Sequence, residues 1–264
     1  YYNRVNNMQK AARLVCEQYG GELPADYEAL RALPGIGDYT AGAIASIAFG
    51  IPVPAVDGNV LRVFARLYND DADVMQPATK RLFTRRVLDQ MPKEIPGPYN
   101  EALMELGALV CVPGTPHCEA CPLAGLCQGY AAGRQAELPV KPAPKAKTSV
   151  TVTVALVQSP DGILLQRRPS KGLLAGLWQP AAWEQAMTQQ QAADALAQIG
   201  VPVQWGEALP QARHVFTHKV WHLGGWHATA PACALPEGWV WAAPDQLARV
   251  YAVPNAFAAY MKNL

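Results

Sequence analysis

The sequence predicts two structural parts of different class, a mainly α-helical first part and an α+β second part. Over residues 1–132, several segments place apolar residues three and four positions apart, which is the spacing of amphipathic helices. From residue 149 onward, alternating β-branched residues are followed by a Pro-Asp-Gly turn and a second apolar run, which indicates a β-hairpin. Residues 133–148 contain prolines and basic residues without an apolar period, so we interpret them as a linker.

The composition is that of a folded globular protein. Half of the 264 residues are apolar and only 16% are charged, which excludes a disordered or fibrous chain. The formal net charge is +1, so a nucleic acid would have to be bound by a local surface of the protein. The uncharged run over residues 40–56 holds small residues and two prolines, and it fits a buried helix and a loop better than a membrane span. No targeting motif is visible, which favours the cytoplasm, or the nucleoid in a bacterium.

Four segments of the first part are predicted as helices. In chain order they are NNMQKAARLVCEQY, ADYEALRAL, TKRLFTRRVLDQM and YNEALMELGALV. The second of them can begin behind Asp26 as N-cap, because a short acidic side chain satisfies free backbone N–H groups there. The fourth leads straight into a cysteine-rich loop.

The second part is expected to continue with a helix and two further strands after its hairpin. The segment EQAMTQQQAADALAQIG predicts the helix. The segment HVFTHKVWHLGGWHATA predicts two strands that are joined at a Gly-Gly turn. No internal repeat is evident.

Four of the six cysteines are concentrated in one short loop. They are Cys111, Cys118, Cys121 and Cys127, with the spacing C-x6-C-x2-C-x5-C. Disulfides are not expected in a cytosolic chain of this size, and a redox pair alone would leave two flanking cysteines unexplained. A metal site explains all four, but the spacing alone leaves zinc and an iron–sulfur cluster open. Cys16 and Cys233 stand apart, and we expect both to be small buried hydrophobic residues.

The stretch LPGIGDYTAGAI, residues 33–44, predicts a tight hairpin between two helices. Its glycines allow a sharp turn with outward-facing N–H groups at the start of the following helix. Such a helix start favours an anion, so a DNA phosphate would fit it without a positive charge on the protein as a whole. An ordinary turn between two helices is the alternative.

The stretch PAVDGNVLRVFARL, residues 54–67, places an acidic side chain at the start of a new apolar helix. Taken alone, Asp57 before Gly58 and Asn59 is explained as a helix N-cap or turn residue.

Together, the Gly-rich hairpin, the aspartate about twenty residues later and the four-cysteine loop resemble the helix-hairpin-helix DNA glycosylases that carry an iron–sulfur cluster. The resemblance implies a [4Fe-4S] cluster held by the four loop cysteines, and Asp57 as the active-site carboxylate. Members that also cut the DNA strand, the endonuclease III type, carry a lysine where this sequence has Tyr39. GDYTAGAI, VDGNV and NEALMELGALVC, with a second domain after the linker, resemble the MutY adenine DNA glycosylase family.

The start of the second domain, SVTVTVALVQSPDGILLQRRPSKGLLAGLWQP, resembles a Nudix or MutT-like fold. A Nudix hydrolase needs a cluster of glutamates on its next helix to bind Mg²⁺. Here that predicted helix offers only Glu184 and Asp194, so we expect a recognition domain and not a hydrolase. The family uses this domain to recognise 8-oxoguanine with a Phe-Ser-His loop, which corresponds to Phe216, Thr217 and His218.

The implied reaction is hydrolysis of the N-glycosidic bond of adenine mispaired with 8-oxoguanine or guanine in double-stranded DNA. Asp57 would stabilise the positive charge on the sugar, and Tyr39 would line the base pocket. The residues expected to bind DNA are Leu33, Gly35, Ile36, Gly37, Thr40 and Asn59. We expect a monomer without membrane association.

The family also uses a glutamate as general acid on an early helix, which we expect to lie upstream of Tyr1. The glycosylase domain, residues 1–132, is therefore expected to be incomplete, and this chain to be weak or inactive by itself. Glu17, Glu22 and Glu28 are expected to be surface residues.

Three other functions are weighed against this one. An endonuclease III-type glycosylase/lyase is disfavoured by Tyr39 and by the second domain. A non-catalytic iron–sulfur DNA-binding protein is disfavoured by Asp57 and favoured by the missing acid. An active Nudix hydrolase is disfavoured by the absent glutamate cluster.

Overall fold

The structure, a computed structural model, describes residues 2–143 and 146–262, with the side chain of residue 248 left out. The chain divides into two compact units, Tyr1–Ala143 and Pro144–Leu264, named here the helical unit and the β-rich unit. In the part of the chain that the structure describes, no helix has both the length and the apolar character needed to cross a membrane.

The helical unit confirms the helices predicted from the apolar spacing. Asp26 is the N-cap of the second helix, and its carboxylate accepts a hydrogen bond of 2.8 Å from the amide of Ala29, as the sequence predicts. The helices are α1 Tyr2–Tyr19, α2 Tyr27–Ala32, α3 Asp38–Phe49, α4 Gly58–Leu67, α5 Pro77–Asp89, α6 Pro96–Glu105 and α7 Gln128–Ala131. A short π-helix over Leu106–Val110 follows α6 and leads into the cysteine loop, which contains two short 3₁₀ helices.

Two apolar clusters form the core of this unit. One surrounds Phe64 of α4 and Phe83 of α5, and the other joins α1 to α2 and α3 through residues such as Val15 and Leu30. Helix α1 contributes Ala11, Leu14 and Val15 to the second cluster. Cys16 lies on the other side of this helix and is exposed, so its predicted burial is wrong.

Part of the predicted linker, residues 133–148, packs on the helical unit. Leu138 is fully buried, and its carbonyl accepts a hydrogen bond of 2.9 Å from Nε of Arg66 on α4. The amide of Val74 donates to the carbonyl of Val140 at 3.1 Å. The sequence does not predict this packing, because a single buried leucine and two backbone contacts create no periodic pattern of apolar residues.

The β-rich unit is a mixed six-stranded sheet with the strand order β4-β5-β1-β3-β2-β6. The pairing of β1 with β5 is parallel, and the other pairings are antiparallel. The predicted hairpin is confirmed, with Ser159 of β1 opposite Gly162 of β2. Its elements are β1 Thr148–Ser159, β2 Gly162–Arg167, β3 Trp178–Trp183, α8 Gln189–Ala197, β4 Gln204–Val215, β5 Lys219–Thr229, β6 Trp239–Ala242, α9 Pro244–Arg249 and α10 Ala258–Met261.

The predicted Gly-Gly turn is wrong. Gly224 and Gly225 lie inside the continuous strand β5, and the chain turns earlier, at Phe216–His218 between β4 and β5. A Cβ atom on Gly225 would lie 1.8 Å from the carbonyl oxygen of Val154 on β1. The glycine therefore permits close approach of two parallel strands instead of a change of direction.

The helix predicted over residues 184–200 begins only at Gln189. Thr188 is its N-cap and forms a capping box with Gln191. Glu184 consequently lies before the helix, and only Asp194 of the two acidic residues predicted for it is helical.

Candidate active site

A cleft of about 790 Å³ in the helical unit contains both residues predicted to be catalytic. Tyr39 enters it from the first turn of α3, and Asp57 from the residue before α4. Basic residues of α5, among them Lys80 and Arg81, line the same cleft. The structure thus brings together two side chains that are 18 positions apart in the sequence.

The carboxylate of Asp57 is held by three hydrogen bonds. Its Oδ1 accepts from the backbone amides of Asn59 at 2.8 Å and Val60 at 2.9 Å, which makes Asp57 the N-cap of α4. Its Oδ2 accepts from the side-chain amide of Asn59 at 2.9 Å. Because every partner is a donor, the arrangement suits the ionised carboxylate and fixes its orientation.

Hydrogen bonds continue from Asp57 to the start of the cysteine loop. The other end of the Asn59 amide, Oδ1, accepts from Arg62 at 3.1 Å. The buried guanidinium of Arg62 also donates to the carbonyl of Cys111 at 2.7 Å and to that of Gly107 at 2.6 Å. One turn of α4 therefore connects the predicted catalytic carboxylate to a predicted cluster ligand.

Tyr39 is a partly exposed phenol whose hydroxyl lies 3.6 Å from the sulfur of Met104. Burial, followed by the negative charge of Asp57, raises the pKa of Tyr39 above its ordinary value. The side chain is consequently a neutral phenol at physiological pH.

The predicted phosphate-binding hairpin is present between α2 and α3. Leu33 is buried at its start, and its carbonyl accepts a hydrogen bond of 3.1 Å from the amide of Ile36. Gly35 has a φ of +79°, and Gly37 is the N-cap of α3 without a side chain to occupy the helix start. Thr40 is exposed in the first turn, as an external ligand would require.

The four cysteines of the loop, Cys111, Cys118, Cys121 and Cys127, line a single small cavity. All four are free thiols, so the loop is not closed by a disulfide. Arg66 of α4 lines the same cavity, and its NH1 lies 3.3 Å from Sγ of Cys111. Burial and then the charges of the neighbouring thiols raise the pKa of Cys118.

The thiols surround this cavity without converging on one point. Over residues 2–143 and 146–262, no three His, Cys, Asp or Glu side chains are placed so that they could hold one metal ion. A four-iron cluster makes a different demand, because each of its irons takes one cysteine thiolate and the ligands are spread around the cluster.

The turn predicted to recognise 8-oxoguanine presents two of its three side chains to solvent. Phe216 is half-buried between the rings of His214 and Trp221, with ring centroids 4.6 and 4.9 Å away. Thr217 and His218 are exposed at the tip. The ring of Phe216 therefore packs against the core of the β-rich unit just after the end of β4.

An ion-pair network beside this turn was not found by sequence reasoning. The carboxylate of Glu184 accepts from Arg168 at 2.9 Å and from Lys219, the first residue of β5, at 3.2 Å. Arg168 also donates to Gln179 at 2.6 Å. These residues lie far apart in the chain, so no motif could indicate their contact.

Glu28 is a surface residue, as predicted, with a side chain that is 73% exposed. It also lines the cleft that holds Asp57. Its carboxylate is paired with Arg31 at 3.3 Å, and Arg31 also binds Asp38. Asp38 lies in the first turn of α3, beside the predicted phosphate site. Its ion pair with Arg31 offsets the negative charge of the Asp38 carboxylate there.

Comparison with known proteins matches both units to families. A NUDIX domain family matches residues 152–263, and a helix-hairpin-helix motif matches residues 18–47. The adenine DNA glycosylase of Mus musculus is 32% identical over 91% of this chain and 57% of its own length. That of Rattus norvegicus is 33% identical over 83% of this chain and 52% of its own length.

The chain belongs to the adenine DNA glycosylase family. It spans about half the length of the curated relatives it matches. A solved structure titled as a non-covalent endonuclease III–DNA complex is 32% identical and covers 50% of this chain and 59% of its own, with a TM-score of 0.42.

Membership in the adenine DNA glycosylase family confirms the resemblance that the hairpin, the aspartate and the four-cysteine loop indicate. The two-part fold class, a helix-hairpin-helix helical part followed by a Nudix-like α+β part, is also confirmed. The roles of individual residues in this family member stay predictions.

Proposed function

We propose that this chain is part of a DNA repair glycosylase that hydrolyses the N-glycosidic bond of adenine mispaired with 8-oxoguanine or guanine. The proposal depends above all on the carboxylate of Asp57, which is fixed by three donors inside a cleft beside Tyr39. Family membership supports the reaction class, and the hairpin before α3 supports DNA as the partner.

In the proposed reaction, the adenine leaves the base stack and enters the cleft, which costs less free energy at a mispair. The glycosidic bond breaks, its electron pair leaves with the protonated base, and positive charge develops on the sugar. The ionised Asp57 stabilises this charge. A water molecule then adds to the sugar carbon and loses a proton, which gives free adenine and an abasic site.

Strand cleavage through a Schiff base is not part of the proposal, because it needs a lysine amine at the sugar. Tyr39 occupies the corresponding position, and its raised pKa keeps it a neutral phenol. Borohydride treatment of the enzyme–DNA complex should therefore trap no covalent adduct, whereas a lyase of the endonuclease III type would be trapped.

The general acid that protonates adenine is not assigned to a residue of this chain. Glu28 lines the cleft, but its carboxylate is exposed and engaged by Arg31, and it lacks the apolar surroundings that a general acid needs. We keep the prediction that a glutamate outside these 264 residues supplies the proton.

A [4Fe-4S] cluster is proposed for the cavity of the four cysteines. The donor set fits, because four free thiols surround one cavity and Arg66 brings a positive charge to Sγ of Cys111. When bound, the cluster would cross-link the loop. Arg66 would offset part of the negative charge of the thiolates, and Arg62 would fix the loop to α4.

Contact with DNA is proposed for the hairpin and for the tip of the turn between β4 and β5. Backbone N–H groups around Gly35, Ile36 and Gly37 would bind a phosphate and fix the register of the duplex without reading its sequence. Thr217 and His218, exposed at the tip, would contact the 8-oxoguanine. Action as a monomer in the cytoplasm, or nucleoid, is part of the same proposal.

The test is single-turnover excision on a duplex with one adenine opposite 8-oxoguanine, followed by hot alkali to reveal abasic sites. It would compare this chain, the full-length natural protein and its Asp57→Asn and Glu28→Gln variants. We expect the full-length protein to excise adenine, Asp57→Asn to lose excision and keep DNA binding, and Glu28→Gln to retain excision. Unchanged excision by Asp57→Asn would contradict the catalytic assignment, and binding without excision by any form would favour a non-catalytic DNA-binding protein.

A further inference from the structure

A glutamine that belongs to no motif lines the cavity of the four cysteines. Gln135 follows the last of them by eight positions, and it lines both this cavity and a second one beside His117 and Tyr130. Its Oε1 atom is inaccessible to solvent, and among the residues that the structure describes it has no hydrogen-bond partner.

An unpaired buried amide oxygen destabilises a fold, and such groups usually have a partner that completes them. The guanidinium of Arg66, which lines the same cavity, donates to the carbonyls of Leu138 and Val112 and not to Gln135. Among the described residues, the Oε1 atom of Gln135 is therefore left without a partner. This is the second observation, besides the cysteines, that indicates a ligand in this cavity.

The chemistry of the ligand determines which end of the amide would face it. Thiolates and cluster sulfides are electron-rich acceptors, so a carbonyl oxygen beside them would be repelled and an N–H group would be attracted. A half-turn about the terminal bond of the side chain exchanges the oxygen for the NH₂ group without any other movement. In that orientation Gln135 would be a neutral donor to sulfur.

We propose that Gln135 is a positioning residue for the cluster, which donates an N–H···S hydrogen bond from its side-chain amide to a cluster or cysteine sulfur. The inference rests on the proposed function, since it requires the [4Fe-4S] cluster. Hydrogen bonds to sulfur stabilise the reduced, more negative form of such clusters and so raise their reduction potential. Gln135 would share this role with Arg66, which already contacts Sγ of Cys111.

The first test compares Gln135→Leu and Gln135→Glu with a matched control, Gln128→Leu, in which the replaced side chain is exposed. The full-length natural protein would be used, and loss of the cluster to a chelator would be followed by its visible absorption. We expect Gln135→Leu to lose the cluster about tenfold faster than the wild type, because outer-shell partners of metal ligands have effects of this size. Gln135→Glu should be faster still, because a carboxylate repels the sulfurs, and Gln128→Leu should match the wild type.

A second readout separates hydrogen bonding from simple space filling. The reduction potential of the DNA-bound cluster should fall in Gln135→Leu and stay unchanged in Gln128→Leu. An unchanged potential together with an unchanged rate of cluster loss would overturn the inference and leave Gln135 as a packing residue.

A third measurement needs no variant and so remains decisive if the variants fail to fold. Pulsed electron paramagnetic resonance would be recorded on the wild-type cluster after one-electron oxidation to its paramagnetic state, with ¹⁵N only in glutamine side chains. The spectrum should show a nitrogen coupled to the cluster. Absence of that coupling would overturn the inference. Iron and sulfide analysis of the wild type distinguishes the two levels of failure, since fewer than about four irons per chain would contradict the cluster itself.

Discussion

Asp57 shows how one carboxylate can serve local structure and chemistry at the same time. Its Oδ1 is occupied by the two amides at the start of α4, which is the bonding of an ordinary N-cap. Its Oδ2 is held by the side chain of Asn59 alone. The cap and the proposed catalytic role therefore use different oxygens and do not compete.

Asn59 provides a test of this division of roles between the two oxygens of Asp57. The sequence predicts a DNA contact for Asn59, but both ends of its side-chain amide form hydrogen bonds within the protein. Asn59→Leu should lower the single-turnover excision rate at saturating DNA by about 10²-fold, since Asp57 would lose its orienting donor. The dissociation constant for DNA should change little. The opposite result, weaker binding with an unchanged rate at saturation, would show a DNA contact instead. Asn6→Leu on the exposed side of α1 serves as the control.

Glu184 gives the β-rich unit a pH-dependent contribution to stability. Burial alone would raise its pKa, but hydrogen bonds from Arg168 and Lys219 outweigh burial and lower the pKa below the ordinary glutamate value of 4.5. A lowered folded-state pKa stabilises the protein above pH 4.5, and this stabilisation is lost as the pH falls through the folded-state value.

We therefore expect Glu184→Gln to lower the urea midpoint of the β-rich unit at pH 7 and to change it little at pH 3. Tryptophan fluorescence reports this unfolding. Glu207→Gln, which replaces an exposed glutamate on β4, should leave the midpoint unchanged at both pH values. A Glu184→Gln midpoint equal to that of the wild type at pH 7 would mean that the ion pairs contribute no measurable stability.

The candidate site residues predicted from the sequence lie in contiguous motifs, whereas residues that depend on long-range contacts have no motif that could indicate them. Tyr39 and Asp57 stand in recognisable stretches, and the four cysteines form one spaced run. Gln135 and Glu184 have no such context, because each acquires its environment from residues brought together only by folding. Cys16 is exposed although an isolated cysteine is usually buried, because the contacts made on folding determine which side of α1 is covered.

At the scale of elements, a glycine in the sequence does not by itself indicate where the chain turns. Gly35, with a φ of +79°, makes the predicted turn between α2 and α3. Gly225 instead lies within β5 with a φ of +149°, where it faces the backbone of β1. Both conformations favour glycine, so the residue type alone cannot distinguish a turn from a close approach of strands.

Gly225→Ala should disrupt the pairing of β5 with β1. The new methyl group would overlap the carbonyl oxygen of Val154, and alanine is strained at this positive φ. We expect the free energy of unfolding of the β-rich unit to fall by roughly 2–4 kcal/mol in urea denaturation. Gly206→Ala on β4 is the matched control, because its nearest contacts would be at 3.6 Å, and it should cost much less. Equal effects of the two substitutions would show that the sheet adjusts at Gly225.

At the scale of the whole molecule, the boundary between the units lies later than the composition of the chain suggests. The prolines and basic residues of the predicted linker, residues 133–148, conceal Leu138, whose side chain is 1% exposed. The segment up to Val140 completes the helical unit by covering the side of α4 that carries Arg66. The loss of the apolar period thus indicates that the chain changes from helical to β structure. It does not indicate the residue at which the helical unit ends.

This boundary can be tested in the intact chain, because the seven tryptophans all lie in the β-rich unit, between residues 178 and 241. Tryptophan fluorescence therefore reports the β-rich unit alone, and circular dichroism of helices mainly reports the helical unit. Leu138→Ala should lower the free energy of unfolding of the helical unit by about 2–5 kcal/mol, as a cavity in a core does. The fluorescence transition should not move.

Leu126→Ala is the control for this experiment, because that side chain is 73% exposed and its removal should change stability by no more than about 0.5 kcal/mol. If residues 133–148 were a solvated linker throughout, Leu138→Ala would be as mild as Leu126→Ala, and the unit would end near residue 132. A selective shift of the helical transition would instead place the fold boundary after Val140. In that case the segment that contains Gln135 and Leu138 is part of the wall behind the cysteine loop, and shortening the helical unit to residue 132 would remove it from the proposed cluster site.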